Sequence, residues 1–146
     1  MNVNDLREYL YRHIPISSAM QIEVIHASIE EVVLSAPLAP NINHRDTVFG
    51  GSASALAIFS AWSLLHLRAR YFDMAGRLVI QSNHMHYDAP IAGTFQAVCK
   101  FDDAVTWERF TRMYKRHRRA RIEVKSELEF ANSTAGRFEG EFVLFD

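Results

Sequence analysis

The sequence predicts an α+β domain in which a long antiparallel sheet wraps one central apolar helix. Three observations carry this. The stretch from about Gly51 to Arg70 is apolar on nearly all sides and contains no Asp or Glu, as a helix buried all round requires. Ala120–Phe130 alternates strictly, with Ile122, Val124, Ser126, Leu128 and Phe130 set against Arg121, Glu123, Lys125, Glu127 and Glu129, which reads as a half-buried strand. The last strands are long and joined by short turns, which favours antiparallel pairing. With 146 residues and 49% hydrophobic side chains, the chain has enough apolar surface for a core and fits one domain, residues 1–146.

The elements follow in order. Asn4 caps a short helix with Leu6, Tyr9, Leu10 and His13 on one face, and Pro15 ends it. Met20 to about Ser28 and Glu31 to Ala36 are rich in Ile and Val and read as two strands turning near Ile29-Glu30. An Asn-rich loop leads into the long helix, Gly50 to Arg70. Leu78–Tyr87 is a strand ending at Asp88-Ala89-Pro90. Another starts at Gly93-Thr94, with Phe95, Ala97, Cys99 and Phe101 on one face. Val105–Arg118 is basic and mixed, partly helical at best. After Ala120–Phe130 comes a turn over Asn132–Gly136, then a strand with Phe138, Gly140, Phe142 and Leu144 on one face. A single such sheet leaves one edge and the outer side of the helix uncovered, and pairing with a second copy would cover both, so a homodimer is expected.

Composition narrows the function. The net charge is −1, which argues against nucleic acid as a partner. The lone Cys99 allows no intrachain disulfide and suits a reducing compartment. The N-terminus has neither the basic start nor the apolar run of a signal peptide, and no uninterrupted apolar run approaches ~18 residues. A cytoplasmic protein without a membrane segment is the expectation.

The chemistry concentrates in Ala36–Ser52. Asn43 carries an NH₂ that can donate to a substrate carbonyl. Gly50 and Gly51 open the helix, where backbone N–H groups are unpaired and the dipole is positive. Against this, Asn is a common loop and capping residue, and a double glycine usually marks a turn. Asn41 reads as a turn residue, Thr47 as a brace of the loop, and Ser52 as a helix cap without a nucleophile elbow around it. His84 and His86 alternate on one strand. They line an acyl pocket or form a structural pair, and no third ligand at a fixed offset makes them a metal site. Cys99, between Phe95 and Phe101, reads as core. Arg109, Arg112, Lys115, Arg116, Arg118, Arg119 and Arg121 crowd one segment, either a solvated surface or a landing patch for an acidic partner.

The order of elements resembles the hot-dog fold of acyl-thioester enzymes over nearly the whole chain. Asn43, Thr47 and Gly50-Gly51 resemble the Asn-x-x-Gly-Thr-x-His-Gly-Gly pattern of phenylacetyl-CoA-type thioesterases, and Tyr87-x-x-Pro90 with Gly93 resembles a strand end of that superfamily. Phe49 replaces the pattern's His, and Ile58 stands where its helix acid falls. Ala-Pro-Leu-Ala-Pro-Asn-Ile-Asn from Ala36 to Asn43, followed by Thr47-x-Phe49-x-Gly51-Ser52, is similar to a smaller family of thioesterase-like proteins that also occurs fused to acetyltransferase domains.

That resemblance implies malonyl-acyl-carrier-protein decarboxylation, yielding acetyl-carrier protein for fatty-acid initiation, without a cofactor or metal. Asn43, Gly50 and Gly51 would hold the thioester oxygen as enolate charge develops. Thr47, Phe49, Ser52, His84 and His86 would line the substrate site, and Arg112, Lys115, Arg116, Arg118 and Arg119 would receive the carrier or its phosphopantetheine. The alternatives are hydrolysis of an acyl-CoA or acyl-carrier-protein thioester, and a non-catalytic acyl-thioester binding module. Hydrolysis needs an activated water, and no acid lies between Thr47 and Phe72.

Overall fold

A computed structural model describes the whole chain, residues 1–146. Helix α1 (Val3–His13) is opened by Asn2, whose side chain accepts from the Asp5 N–H at 2.9 Å while the Asp5 carboxylate accepts from the Asn2 N–H at 3.1 Å. This reciprocal pair moves the cap from the expected Asn4 to Asn2, because only Asn2 has an acid three residues on to complete it. A one-turn helix α2 (Ile16–Ala19) follows Pro15. Strand β1 is shorter than its Ile/Val-rich run, Glu23–Ala27, and pairs with β2 (Glu31–Ala36).

Helix α3 runs from Gly50 to Tyr71 and places Leu56, Ala57, Leu64 and Leu65 in the core. By length and hydropathy it could cross a bilayer, but here it is the core helix of the sheet. Its one half-open stripe includes Trp62 and His66, against which Tyr9 of α1 stacks with ring centroids at 6.2 and 4.6 Å. Gly76, at φ +146°, turns the chain into β3 (Arg77–Tyr87). A Cβ on Gly76 would sit 2.6 Å from the Tyr114 hydroxyl and 2.9 Å from the Phe145 carbonyl. β4 (Phe95–Lys100) buries Phe95, Ala97 and Cys99 as the alternation predicts, and burial pushes the Cys99 thiol up to about 12.

The segment expected to be only partly helical is a full helix, α4 (Ala104–His117). Asp103 caps it by accepting from the Thr106 N–H at 3.0 Å, and Trp107, Phe110 and Tyr114 form its buried stripe. Arg and Lys are good helix formers, so the basic composition does not oppose the helix once three aromatic anchors are spaced to one side. Under α4 lies Arg68 of α3, only 7% exposed and without an ion partner. Its guanidinium sits 4.3 Å from the Trp107 ring centroid and 4.6 Å from that of Phe101, and donates to the Ile29 carbonyl at 2.5 Å. One side chain thus ties the end of α3 to α4 and to the β1–β2 turn.

β5 (Arg119–Phe130) and β6 (Ser133–Phe145) are longer than expected and their turn is shorter. Only Ala131 and Asn132 make it, both left-handed at φ 51° and 64°, a geometry that matches the twist of a tight hairpin. All neighbours pair antiparallel in the order β1-β2-β4-β5-β6-β3. The sheet therefore ends on β3, an 11-residue strand paired on one side only, with Val79 exposed. Trp62 donates to the Leu78 carbonyl at 2.9 Å and Tyr87 reaches Gly50, so β3 runs antiparallel to α3 along its length.

Candidate active site

The Asn-rich loop is a small closed structure. Its 3-10 turn, Ala39–Asn41, is locked by Asn41, which is 2% exposed and donates from Nδ2 to the Met20 carbonyl (3.0 Å) and the Pro37 carbonyl (2.8 Å). Asn41 is thus a buried brace between the loop and the start of β1, rather than a simple turn residue. Beyond it, Ile42 and Val48 face each other across a one-pair bridge, and the Asn43 N–H donates to the Thr47 carbonyl at 2.8 Å. Asp46 takes the left-handed position, φ 62°, that closes the tip.

The Asn43 side chain fills this miniature hairpin. Its Oδ1 accepts from the N–H groups of Arg45 (2.8 Å) and Thr47 (3.2 Å). Its Nδ2 donates to Thr47 Oγ1 at 3.0 Å and to the Val48 carbonyl at 3.3 Å. Both amide hydrogens expected to meet a thioester oxygen are therefore engaged within the loop, which makes Asn43 the residue that sets the loop's shape. Thr47 shares that bracing role.

The loop delivers the chain into α3 with three donors open. The Phe49 N–H is held by the Asn41 carbonyl at 2.7 Å, the Val48 N–H by the Ile91 carbonyl at 2.8 Å, and helical bonding starts with Ala53 N–H to the Phe49 carbonyl at 3.0 Å. No side chain caps the helix; Ser52, expected as a cap, makes no side-chain hydrogen bond. The N–H groups of Gly50, Gly51 and Ser52 are left at the positive end of a 22-residue helix. The Phe49 ring lies over Gly51, where any Cβ would run into it, and is 57% exposed. From the far side Tyr87 donates to the Gly50 carbonyl at 3.1 Å, its ring 3.6 Å from where a Gly50 Cβ would be. Tyr87 is a site residue that periodicity does not reveal; only the Tyr87-x-x-Pro90 motif marked it.

Other expected residues fall elsewhere. His84 and His86, with ring centroids 4.4 Å apart, pair with Glu139 and Arg137 on the outer face of the sheet. Tyr87 and Met85 alternate with them and point toward α3, so the two histidines are not beside Gly50 in this protomer. No group of three or more His, Cys, Asp or Glu could hold a metal. Asp88 is engaged by Arg137 at 2.9 and 3.1 Å, and this hydrogen-bonded cation holds its carboxyl below the usual range.

The basic residues also separate. Arg118 is bound to the Asp146 carboxylate at 2.7 and 3.1 Å, and Arg119 alternates with buried Ala120 and so faces the outer side of the sheet. Arg112, Lys115 and Arg116 remain, without ion partners, along a groove of about 630 Å³ floored by Phe72 and Trp107. Lys115 and Arg116 complement the carbonyl end of α4; Arg109 and Arg112 lie too far up the helix for that role.

Residues 3–146 match the putative thioesterase family described as yiiD_Cterm. The chain belongs to that family. Its fold is the hot-dog fold of the solved relatives. A protein of unknown function from Chlorobaculum tepidum superimposes with a TM-score of 0.92 at 27% identity, covering 99% of this chain and 94% of that one. A putative thioesterase from Shewanella oneidensis gives 0.88 at 27% identity, covering 99% and 97%. A probable thioesterase from Pseudomonas aeruginosa gives 0.81 at 14% identity, covering 99% and 96%, and speaks for the fold alone.

Proposed function

We propose that this thioesterase-family protein acts on malonyl-acyl carrier protein and decarboxylates it to acetyl-acyl carrier protein, as a homodimer in the cytoplasm. The observation that carries the reading is the uncapped opening of α3, which leaves the N–H groups of Gly50, Gly51 and Ser52 without a partner while no acid lies between Thr47 and Phe72. In the reaction the bond between the carboxylate carbon and the α-carbon breaks, and its electron pair becomes an enolate with charge on the thioester oxygen. Carbon dioxide leaves, and the α-carbon takes a proton from water. Donors aimed at the developing oxyanion lower the barrier, each by roughly 3–4 kcal/mol when well placed. No base is needed to start the step.

Gly50 and Gly51 supply the donors, and Asn43 is the positioning residue that holds the loop so that they point outward. Tyr87 fixes the first turn by binding the Gly50 carbonyl. Hydrolysis is the second reading, favoured by the family's description. It requires a water-activating group, which Asp46 of the same loop, Asp88, a His or a partner subunit would have to bring to this opening.

Incubation with malonyl-acyl carrier protein, followed by mass analysis of the carrier, decides between them. The expected product has lost carbon dioxide and kept its thioester. Free holo-carrier protein would instead establish hydrolysis, and unchanged substrate would reduce the protein to a binding module. Gly50→Pro is the matching variant. Proline is tolerated in the first helical turn, Phe49 already has the extended ψ of 133° that precedes proline, and the substitution deletes one donor. Turnover should fall about 10²–10³-fold with the fold intact by circular dichroism.

A further inference from the structure

We propose that the carrier protein docks on α4 of one protomer and delivers its acyl group to the α3 opening of the other. This rests on the dimeric, carrier-dependent reading above. Arg109, Arg112, Met113 and Arg116 lie at i, i+3, i+4 and i+7 and share one face of α4. All four are exposed, and the three arginines have no ion partner. Cations around an exposed methionine, beside the Phe72–Trp107 groove, complement an acidic, amphipathic protein surface.

Within one protomer this face is too far from the chemistry. α4 is fastened to the C-terminal end of α3, through Arg68–Trp107 and the Tyr114 hydroxyl on the Ala75 carbonyl, whereas the donors are at the N-terminal end. The 21 residue steps from Gly50 to Tyr71 cover about 32 Å at helical rise. Strand β3, which runs beside α3, covers a similar ~33 Å from Arg77 to Tyr87. A phosphopantetheine arm, about thirteen bonds from phosphorus to sulfur, is as long as four to five extended residues, ~16 Å.

A second copy removes the mismatch. Full-length antiparallel pairing of the two β3 edges puts Tyr87 of one protomer level with Arg77 of the other. α4 packs on β5, on the same face of the sheet as α3. From β3, the partner's β5 is then three strand spacings away, via the partner's β3 and β6, or ~14 Å. The arm spans that distance.

Mixed dimers, purified through a different tag on each protomer, test this with malonyl-acyl carrier protein. The variants are Gly50→Pro and the triple reversal Arg109→Glu, Arg112→Glu, Arg116→Glu. Each homodimer should lose at least about tenfold in kcat/KM at low salt. A mixed dimer with one variant in each protomer should recover about half of wild-type turnover, one working site of two. A mixed dimer with both variants in one protomer and none in the other should stay as low as the homodimers. The opposite pattern, with the first low and the second near half, means docking within one protomer and overturns the proposal. A triple-reversal homodimer with full activity, or one that loses malonyl-CoA turnover as deeply as carrier-protein turnover, removes the docking surface. A fully active Gly50→Pro homodimer instead removes the active-site reading and leaves docking to be tested by binding of the carrier to the triple variant.

Discussion

Asn43 separates two jobs that a sequence motif merges. Its Oδ1 organises the N–H groups of Arg45 and Thr47, and its Nδ2 ties down Thr47 and Val48. Asn43→Asp keeps the acceptor half and loses the donor half, while Asn43→Ala loses both. If Asn43 works by holding the loop, both variants should lower the melting temperature along with the turnover, Ala by about 10²-fold in rate; lost turnover with unchanged stability would restore Asn43 as a donor to substrate. His66 makes a second case at this scale. Burial, with Arg70 and His13 nearby, pushes its pKa down to about 4 from 6.5, and its Nε2 is buried without a partner. The unfolded chain therefore binds a proton between pH 6.5 and 4 that the folded chain does not, so stability is full above 6.5 and falls as pH drops toward 4. His66→Phe keeps a ring in the Tyr9–Trp62 stack and should flatten thermal stability across that window; an unchanged slope would exclude His66 as its source.

The elements were legible where one face of a regular period is buried. β5 and β6 alternate in the sequence as they do in the fold, and α3 was readable from its missing acids. The basic helix was not, because charge on its outer face masked the Trp107, Phe110, Tyr114 stripe that holds it. The turn after β5 is shorter than its composition suggests, since Ser133 to Gly136 look like loop residues but pair with β5 and β3. At the candidate site the motif identified the loop and the two glycines, but pairing register decides which way His84 and Tyr87 point, and a one-residue step on a strand changes the face. The α3–β3 turn offers a test at this scale. Gly76→Ala forces an L side chain to φ +146° and into Tyr114 and Phe145, and should cost about 1–3 kcal/mol or more in denaturant unfolding, with no effect through the active site.

For the whole molecule, the free side of β3 decides the assembly. Eleven residues paired on one side, with Val79 exposed and Arg77 at one end as the sole Lys, Arg, Asp or Glu, form a template for a second strand, and a long edge of that kind is seldom left open. Sedimentation at micromolar concentration should give twice the chain mass of 16.7 kDa, and the melting temperature should rise with protein concentration. A monomer at all concentrations would remove both the dimer and delivery between protomers.

The two-residue turn between β5 and β6 has a practical use. Ala131 carries a methyl group in a conformation that costs an L residue roughly 1–2 kcal/mol. Recasting Ala131-Asn132 as Asn-Gly should recover about 1 kcal/mol and raise the melting temperature by several degrees. That reserve, at a turn on the same end of the sheet as the α3 opening but outside its side-chain hydrogen bonds, would give a sturdier parent chain. In it, loop-weakening changes at Asn41, Asn43 or Tyr87 could be assayed as folded proteins, separating lost chemistry from lost structure.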